Sequence, residues 1–532
     1  MTREAPRATL WLPAARAGGA RPRRRIFVLG AVAAVAALVL AACGSSPSQS
    51  GSSGTGQPDY NKPINIGSTL APTTLNPQTG TSGADYVYLW AMFDRLIINN
   101  PVSGALEPQL ATSWTFKNPL ELDLTLRQGV KFQDGTAFNA AAVVWSLQNY
   151  IRSGDIVNDL QYVTSIVATG PYTVALHLSQ PNSQLPWGLT DRAGMIVSPT
   201  AYKKEGSSGF GLHPVGTGPY EFQSQLAGQS YTFTSFSGYW NNAAMPRAKT
   251  IHWQIYATDT AVVTALRSGT VDIAGTFPQD VKLLSSDTSL KVSIVPGTGF
   301  DMVYFNAKLK PFNDPRVRLA FNLALNRQAI MNAATDGLGE VWTEPVPPGT
   351  IGYAKSLAPL WTQNIAKAKQ LMSAAGYPNG LNLTCYNYPG LGYDITDPII
   401  IAQEAKIGIN MKVISGTPAQ VVPFYTQNLS PCYVSGWGGG INPDGIYQGI
   451  LWSQSYYNAG KTDFGVDQYI DKFYTTPVQN SQQLYYNINK AMQTAPGYAP
   501  LYSSPIVTFL AKGIAGWVKA PYAVNRSLYW TS

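Results

Sequence analysis

The residues able to bind a metal or act as nucleophiles are few, with three histidines and three cysteines among 532 residues. His177, His213 and His252 show none of the short spacings at which metal ligands cluster. The chain also lacks the motifs G-x-S-x-G, H-E-x-x-H and G-x-G-x-x-G. Residues 460–462 (Gly-Lys-Thr) match the end of a phosphate-binding loop, but Ser455 stands where that loop needs its first glycine. The sequence therefore predicts no enzyme, no cofactor and no metal site built from protein ligands alone.

Two of the cysteines, Cys385 and Cys432, fall in strand-like apolar runs of the second half of the chain. In an oxidising compartment such a pair can form a disulfide, and two buried thiols are the alternative. The sequence alone leaves both arrangements open.

The third cysteine, Cys43, follows a segment that is typical of an export signal. The first 25 residues hold seven arginines against one acid, Glu4, and the apolar run 26–40 comes next. A helix of this run rises about 22 Å, which is short of the roughly 30 Å hydrocarbon core of a membrane. Residues 40–44 (Leu-Ala-Ala-Cys-Gly) resemble the bacterial lipobox. We therefore predict a lipoprotein signal peptide over 1–42 and lipid attachment at Cys43, with an uncleaved anchor helix as the alternative.

Residues 43–62 are predicted to hold the lipidated cysteine and a flexible linker, because 44–58 are rich in Gly and Ser and carry no charge. Most of the formal net charge of +8 comes from the arginines of the leader, so it indicates no nucleic-acid partner. Beyond the leader no run of eighteen apolar residues occurs, and the mature chain is expected to be soluble. The arginine pair at 24–25 also fits a twin-arginine signal, which leaves the export route open.

Hydrophobic periodicity predicts strands and helices in the first half of the mature chain. Residues 63–68 are typical of a strand and 86–96 of a helix. The strict alternation of 120–127 predicts a half-buried strand. Asn139 is predicted to cap a helix over 140–150.

Strands and helices alternate in the second half. An Asn-Asp-Pro sequence at 313–315 predicts a helix that runs from Arg316 to Ala334. Further on, the sequence predicts helices over 364–376 and 399–406 and strands over 381–386, 410–415 and 432–437. This alternation predicts an α/β fold with a parallel sheet.

Three segments carry a resemblance to a known family: 126–140 (LRQGVKFQDGTAFNA), 216–220 (GTGPY) and 311–320 (PFNDPRVRLA). In their order and spacing they resemble family 5 of the bacterial extracellular solute-binding proteins. This family comprises the oligopeptide-, dipeptide- and nickel-binding lipoproteins of ABC importers. The resemblance covers nearly all of the mature chain.

The resemblance implies a two-lobed, hinged α/β fold of the periplasmic-binding-protein type II, with an extra α/β domain in the first lobe. The first lobe core is expected to comprise 63–85, 214–296 and 497–532. The extra domain is expected over 86–213 and the second lobe over 297–496. The shared motifs are expected to be architectural, with a turn at Asp134-Gly135.

The candidate ligand contacts follow from the same resemblance. Peptide-binding members have an aspartate shortly after a tryptophan, and this aspartate holds the α-ammonium group of the peptide. Here Trp437 matches the tryptophan, but Gly440 stands at the aspartate position. Because an enclosed ammonium group needs a carboxylate, either Asp444 or Asp301 replaces it, or the ligand has no free amino terminus.

Trp437 is expected to stack on the ligand, with a core position as its alternative. Asn442, Tyr86 and Tyr388 complete the candidate contacts by their position in the segments. The implied function is the capture of peptides or peptide-like solutes for an ABC permease and its ATPase subunits, by a monomer anchored through lipid on the extracytoplasmic face of the cell membrane. An oligosaccharide or a metal chelate as ligand, and a structural or adhesive surface lipoprotein, are the alternatives.

Overall fold

The computed structural model describes residues 57–80, 82–100, 105–153, 160–348, 350–387, 392–416, 421, 425–438, 442–519 and 527–531. The predicted signal peptide, Cys43, Tyr388 and Gly440 lie outside these ranges. Within them, no helix is both long and apolar enough to cross a membrane.

Sheet A joins distant parts of the chain. Its seven strands, in spatial order, are β13 (Leu290–Val295), β19 (Ile506–Ala511), β12 (Ile273–Thr276), β2 (Ile64–Ser68), β11 (Thr250–Ile255), β10 (Ser230–Ser235) and β9 (Tyr220–Leu226). The central β2 pairs in parallel with β11 and β12, and the other pairings are antiparallel. The strand predicted at 63–68 is therefore the centre of this sheet.

Sheet B is an antiparallel sheet of β5 (Ala111–Asn118), β6 (Glu121–Leu126), β8 (Thr173–Leu178) and β7 (Val163–Gly170). Leu122, Leu124 and Leu126 of β6 are buried on one face, as the alternation predicts. Helix α2 (Ala140–Ser153) packs against β7 and β8. Its first turn is capped by Asn139, whose Oδ1 accepts a hydrogen bond of 3.0 Å from the amide of Ala142.

Sheet C belongs to the second half of the chain. Its strands, in spatial order, are β16 (Ile409–Ser415), β15 (Leu381–Asn387), β17 (Cys432–Trp437), β14 (Phe300–Phe305) and β18 (Tyr498–Tyr502). Strand β15 pairs in parallel with β16 and β17, but β14 is antiparallel to both of its neighbours. The prediction of a parallel sheet is wrong for β14, which enters from sheet A and pairs antiparallel with both β17 and β18.

The helix predicted from Arg316 to Ala334 is two helices, α7 (Pro315–Ala324) and α8 (Arg327–Thr335). The break falls at Asn326, whose side-chain Oδ1 accepts a hydrogen bond of 3.0 Å from the amide of Ala329. An asparagine in this position starts a new helix instead of continuing the previous one.

The remaining elements surround these sheets. Short strands form two small sheets: β1 (Pro58–Asp59), β20 (Ile514–Ala515) and β21 (Tyr529–Thr531), and β3 (Ile97–Asn99) with β4 (Leu106–Pro108). The other helices are α1 (Tyr86–Met92), α3 (Leu185–Gly188), α4 (Pro199–Phe210), α5 (Asp259–Arg267), α6 (Asp280–Leu284), α9 (Ile365–Ala374), α10 (Tyr393–Ala405), α11 (Pro443–Leu451), α12 (Asp467–Ile470) and α13 (Gln482–Met492).

Sheets B and C have separate hydrophobic cores. We call the described residues of 96–196, which surround sheet B, the sheet B body. We call those of 300–502, which surround sheet C, the sheet C body. Helix α1 packs instead with residues of sheet A, so it lies outside the sheet B body although the predicted extra domain begins at Tyr86.

The chain crosses between sheets A and C at two adjacent segments, 296–299 and 503–505. The first joins β13 to β14, and the second joins β18 to β19. The Oγ of Ser503 donates a hydrogen bond of 2.7 Å to the carbonyl oxygen of Gly299. A lobe boundary at residue 497 would separate β18 from the sheet in which it pairs, so we place the second crossing at 503–505.

Two of the three segments that carry the family resemblance, 126–140 and 216–220, meet where sheet B joins sheet A. The side-chain Nε2 of Gln133 donates hydrogen bonds to the carbonyl oxygens of Met92, Gly218 and Tyr220, at 2.8–3.1 Å. The side-chain Oε1 of the same glutamine accepts a hydrogen bond of 2.9 Å from the amide of Gly216. These contacts join strand ends, in keeping with an architectural role for the motifs.

We predict that Gly218→Ala lowers the free energy of unfolding by about 1–3 kcal/mol. A Cβ atom at residue 218 would lie 2.7 Å from the backbone nitrogen of Phe93, which is closer than packed atoms allow. Gly275→Ala is the matched control, because its Cβ would lie 3.8 Å from its nearest neighbour, the carbonyl oxygen of Val507. Urea unfolding that shows equal stability for both variants would contradict the prediction.

Cys385 and Cys432 are bonded as a disulfide between the paired strands β15 and β17, with Cα atoms 4.8 Å apart. Both residues are fully buried. The bond joins positions separated by 47 residues in sequence.

We predict that the double variant Cys385→Ala/Cys432→Ala is less stable by about 2–4 kcal/mol, because the unfolded chain then gains the conformational freedom that the crosslink removes. Urea unfolding under oxidising conditions measures this difference. A midpoint equal to that of the wild type would show that the crosslink contributes nothing to stability.

Candidate functional site

Polar side chains collect at one edge of sheet C. Strands β15, β16, β17 and β18 point their carboxyl ends toward this edge, and the antiparallel β14 begins there, with Asp301 opposite Gly436 and Tyr502. Ligands of open α/β sheets bind beyond the carboxyl ends of the strands. We call this edge the C edge and treat it as the candidate binding site.

Asp301 lies at the C edge and is half-buried as a whole residue. The hydroxyl of Tyr393 donates a hydrogen bond of 3.3 Å to its Oδ1. Burial raises the pKa of Asp301 to about 6, although hydrogen bonds from Tyr502 and Tyr393 act in the opposite direction. None of the ion pairs among the described residues includes Asp301. The carboxyl group of Asp301 could therefore pair with a cationic group of a ligand.

A second acid, Asp397 on α10, lies near the same edge. The side-chain amide of Asn387, the last residue of β15, donates a hydrogen bond of 2.5 Å to its Oδ2. Burial raises the pKa of Asp397 to about 7. Burial also raises the pKa of Tyr502, and the nearby Asp301 and Asp397 add to this effect.

Asp397, Asn387, Tyr393 and Tyr502 are not among the contacts predicted from the sequence. Asn387 and Tyr502 are each the last residue of a strand of sheet C. Their position at a strand end was the feature from which the sequence could have indicated them as candidate contacts. Tyr393 and Asp397 gave no comparable signal, because the predicted helix began at residue 399 and α10 begins at Tyr393.

Trp437 ends β17 and is half-buried. Its ring fills the space beside Gly449 of α11, and it meets the ring of Tyr457 edge to face at a centroid distance of 5.4 Å. Its indole Nε1 is buried and has no hydrogen-bond partner among the described residues. Since an unpaired buried donor costs about 1–3 kcal/mol, an acceptor on a ligand would be a favourable partner. The structure thus gives Trp437 a packing role and, within the described part of the chain, a donor without a partner.

Asn442 and Asp444 hold the first turn of α11. The Oδ1 of Asn442 accepts a hydrogen bond of 3.2 Å from the amide of Asp444, and its Nδ2 donates one of 3.2 Å to Oε1 of Gln184. Asp444 is fully buried and accepts a hydrogen bond from the hydroxyl of Tyr485. Asp301 lies among the strand ends of the C edge, whereas Asp444 is bonded to Tyr485 inside the sheet C body, so its position favours Asp301 as the acid that meets a ligand.

Tyr86 begins α1 and lies in a cluster of charged and aromatic residues. Its hydroxyl donates a hydrogen bond to Asp191, and its ring packs against Trp90 at a centroid distance of 5.2 Å. The guanidinium group of Arg192 lies 4.4 Å from the centre of the Tyr86 ring and 3.4 Å from a carboxylate oxygen of Asp85. These contacts join Tyr86 to its own helix and to the segment that follows α3, and not to the C edge.

No group of three or more His, Cys, Asp or Glu side chains in the described ranges could hold a metal ion. A surface depression of about 610 Å³ is lined by Tyr60, Asn242, Ala243, Ala244, Met245, Pro246, Arg247 and Ser527. None of these residues belongs to the C edge, so the depression is separate from the candidate site.

The sequence profile that describes the bacterial extracellular solute-binding proteins, family 5 middle region, matches residues 105–459. The chain belongs to this family. The match confirms the resemblance seen in the sequence and places the chain among solute-binding proteins, a family that is not one of enzymes.

Among curated family 5 relatives, the glutathione-binding protein GsiB of Escherichia coli O1:K1 is 35% identical over 290 residues. The aligned part is 53% of this chain and 55% of the relative. The same protein of Salmonella typhi is 35% identical over 283 residues, which are 52% of this chain and 54% of the relative. The chain thus spans about half the length of the curated relatives it matches.

Solved structures resemble the whole described fold. The periplasmic binding protein DppA of Helicobacter pylori, in complex with the peptide STSA, has a TM-score of 0.79 at 21% identity over 89% of this chain and 99% of that one. The protein AgaA of A. tumefaciens R10, in complex with agropinic acid, has a TM-score of 0.78 at 24% identity over 88% and 98%. These similarities confirm the predicted α/β fold of the periplasmic-binding-protein type II.

Asp444 generates a prediction about pH. Burial raises its pKa to about 7, whereas an aspartate of the unfolded chain ionises near pH 4. Between these values the folded protein binds one more proton than the unfolded chain, so Asp444 makes the protein less stable as the pH rises. We predict that Asp444→Asn, which stays neutral, reduces the loss of stability between pH 5 and pH 8 by at least about 1 kcal/mol.

Urea unfolding of wild type and variant at both pH values measures this difference. Asp123→Asn, on the half-exposed face of β6, is the control and should keep the wild-type difference. An Asp444→Asn variant that loses as much stability as the wild type would contradict a buried, protonated Asp444.

Proposed function

We propose that this family 5 protein is the substrate-binding lipoprotein of an ABC import system that captures peptides or peptide-like solutes. One lobe would contain sheets A and B and the other would contain sheet C. The two lobes would close around the solute, and the loaded protein would deliver it to a membrane permease with its ATPase subunits. The observation that carries the proposal is the half-buried Asp301 at the C edge, which has a raised pKa and no ion-pair partner among the described residues.

The α-ammonium group of a peptide is the ligand cation that fits Asp301. In a closed cleft the low dielectric strengthens a hydrogen-bonded ammonium–carboxylate pair. Asp301 would thereby take the role of the aspartate that Gly440 replaces. The relatives support a peptide-like solute, since GsiB is described as binding glutathione and DppA was solved with the peptide STSA.

Trp437 would supply the aromatic contact. Its half-exposed ring can lie against an apolar side chain of the solute, and its unpaired Nε1 can donate to a carbonyl oxygen. Gly440, Tyr388 and Tyr86 stay proposed contacts, and Asn442 is proposed to act by holding α11 in place.

Export and anchoring are part of the same proposal. The leader 1–42 would carry the chain across the membrane, and lipid on Cys43 would retain it on the extracytoplasmic face as a monomer. The Gly/Ser-rich linker would leave the folded part free to reach the permease while keeping its local concentration high.

We predict that trialanine and S-methylglutathione bind the wild type and that Asp301→Asn weakens both by at least about 10-fold, because the ammonium group loses its charged partner. Isothermal titration calorimetry measures the affinities. The affinity of the wild type should also fall as the pH drops below about 6, where Asp301 becomes protonated. The Asp301→Asn variant should lack this pH dependence.

N-acetylated forms of both probes serve as ligand controls, and Asp123→Asn serves as the protein control. The acetylated probes should bind wild type and Asp301→Asn equally weakly. Tight binding of the acetylated probes by the wild type would show that Asp301 does not hold an α-ammonium group. Native mass spectrometry that finds a co-purified sugar or metal chelate would overturn the peptide assignment.

A further inference from the structure

The sheet B and sheet C bodies touch at a site that includes neither Asp301 nor Trp437. On one side is the segment 182–184, which precedes α3 in the sheet B body. On the other side is the turn 473–476, at the end of a short 3₁₀ helix in the sheet C body. The two segments are about 290 residues apart in sequence.

Ser183 and Gln184 bind carbonyl groups in the last turn of the 3₁₀ helix and just beyond it, where the backbone pairing of the helix ends. The amide of Ser183 donates a hydrogen bond of 2.7 Å to the carbonyl oxygen of Tyr474. The Oγ of Ser183 lies 2.7 Å from the carbonyl oxygen of Phe473 and 3.1 Å from that of Thr476. The Nε2 of Gln184 donates to the same Phe473 oxygen at 3.2 Å. One body thus caps a helix end of the other.

Tyr474 adds a hydrogen bond whose donor lies in the sheet C body and whose acceptor lies in the sheet B body. Its hydroxyl donates a hydrogen bond of 2.7 Å to Oε1 of Gln161. Its ring meets that of Tyr162 edge to face at a centroid distance of 5.0 Å. Gln161 and Tyr162 both belong to the sheet B body, so the contact combines polar and aromatic parts.

The contact also reaches the candidate binding site through α11. Oε1 of Gln184 accepts the hydrogen bond from Nδ2 of Asn442, the residue that caps α11. Gly449 of the same helix lies directly under the ring of Trp437. Gln184 therefore supports a helix on which Trp437 rests, although it has no contact with Trp437 itself.

We propose that Ser183 and Gln184 are positioning residues that hold the sheet B body against the sheet C body and thereby slow the release of a bound solute. The proposal rests on the proposed function, because it assumes that lobe closure encloses the solute. Each hydrogen bond of this kind shifts an equilibrium roughly 2- to 12-fold. The group of bonds is thus large enough to change the balance between open and closed protein without touching the solute.

The test compares Ser183→Ala/Gln184→Ala with the wild type in the oxidised full-length mature protein. With trialanine and S-methylglutathione as probes, stopped-flow binding should show dissociation faster by roughly 5- to 50-fold and association within about 2-fold. Small-angle scattering without a probe should give a larger radius of gyration for the variant. A change of fold stability alone would not produce this division between dissociation and association.

Gln148→Ala is the matched control, because the Nε2 of Gln148 donates to the carbonyl oxygen of Ile166 within the sheet B body. It should leave the rates and the scattering unchanged. Tyr474→Phe is a milder second variant that keeps the ring and removes the hydroxyl bonded to Gln161 and Tyr162, and it should change dissociation in the same direction by a smaller factor.

Wild-type dissociation rates and an unchanged radius of gyration in the double variant would overturn the proposal. If neither probe binds the wild type, the assignment of the solute fails, but the scattering comparison still decides the contact. An equal radius of gyration for wild type and double variant would then count against it.

Discussion

The architecture depends on the two adjacent crossings between sheets A and C. Residues 296–299 and 503–505 lie side by side, joined by the hydrogen bond from Ser503 to Gly299. A Cβ atom at Gly297 would collide with the carbonyl group of Ser504, so the close approach of the two segments requires glycine there. Because β14 enters sheet C through this narrow connection, its first residues lie at the C edge. The position of Asp301 is thus a consequence of where the chain crosses.

Local patterns in the sequence predicted the local elements well. The alternating Leu residues of β6 and the cap at Asn139 need only their neighbours in the chain to form. The break at Asn326 was missed because an apolar pattern continues through it, and the direction of β14 was missed because strand orientation depends on the route between sheets. Residues close in sequence were enough to predict individual helices and strands. Which strands pair, and in which direction, became known only from the folded structure.

The candidate site was predictable only in part, and for a related reason. The family resemblance brought attention to Trp437 and to the missing aspartate at Gly440, and it offered Asp301 and Asp444 as substitutes. Position in the fold is what distinguishes the two acids, since Asp444 is enclosed between α11 and α13 while Asp301 lies at the C edge. Asp397 and Tyr502 were missed because they join Asp301 only through the packing of α10 and β18. The contact of Gln184 with Asn442 links residues of separate cores and leaves no trace in the sequence.

The disulfide between Cys385 and Cys432 has a consequence for recognition. It crosslinks β15 and β17, the strands that end at Asn387 and Trp437. These two strand ends are therefore ordered relative to each other before any solute arrives, and little conformational entropy remains to be lost in this part of the site on binding. Preorganisation of this kind favours selectivity, because a rigid edge adapts poorly to solutes of a different shape.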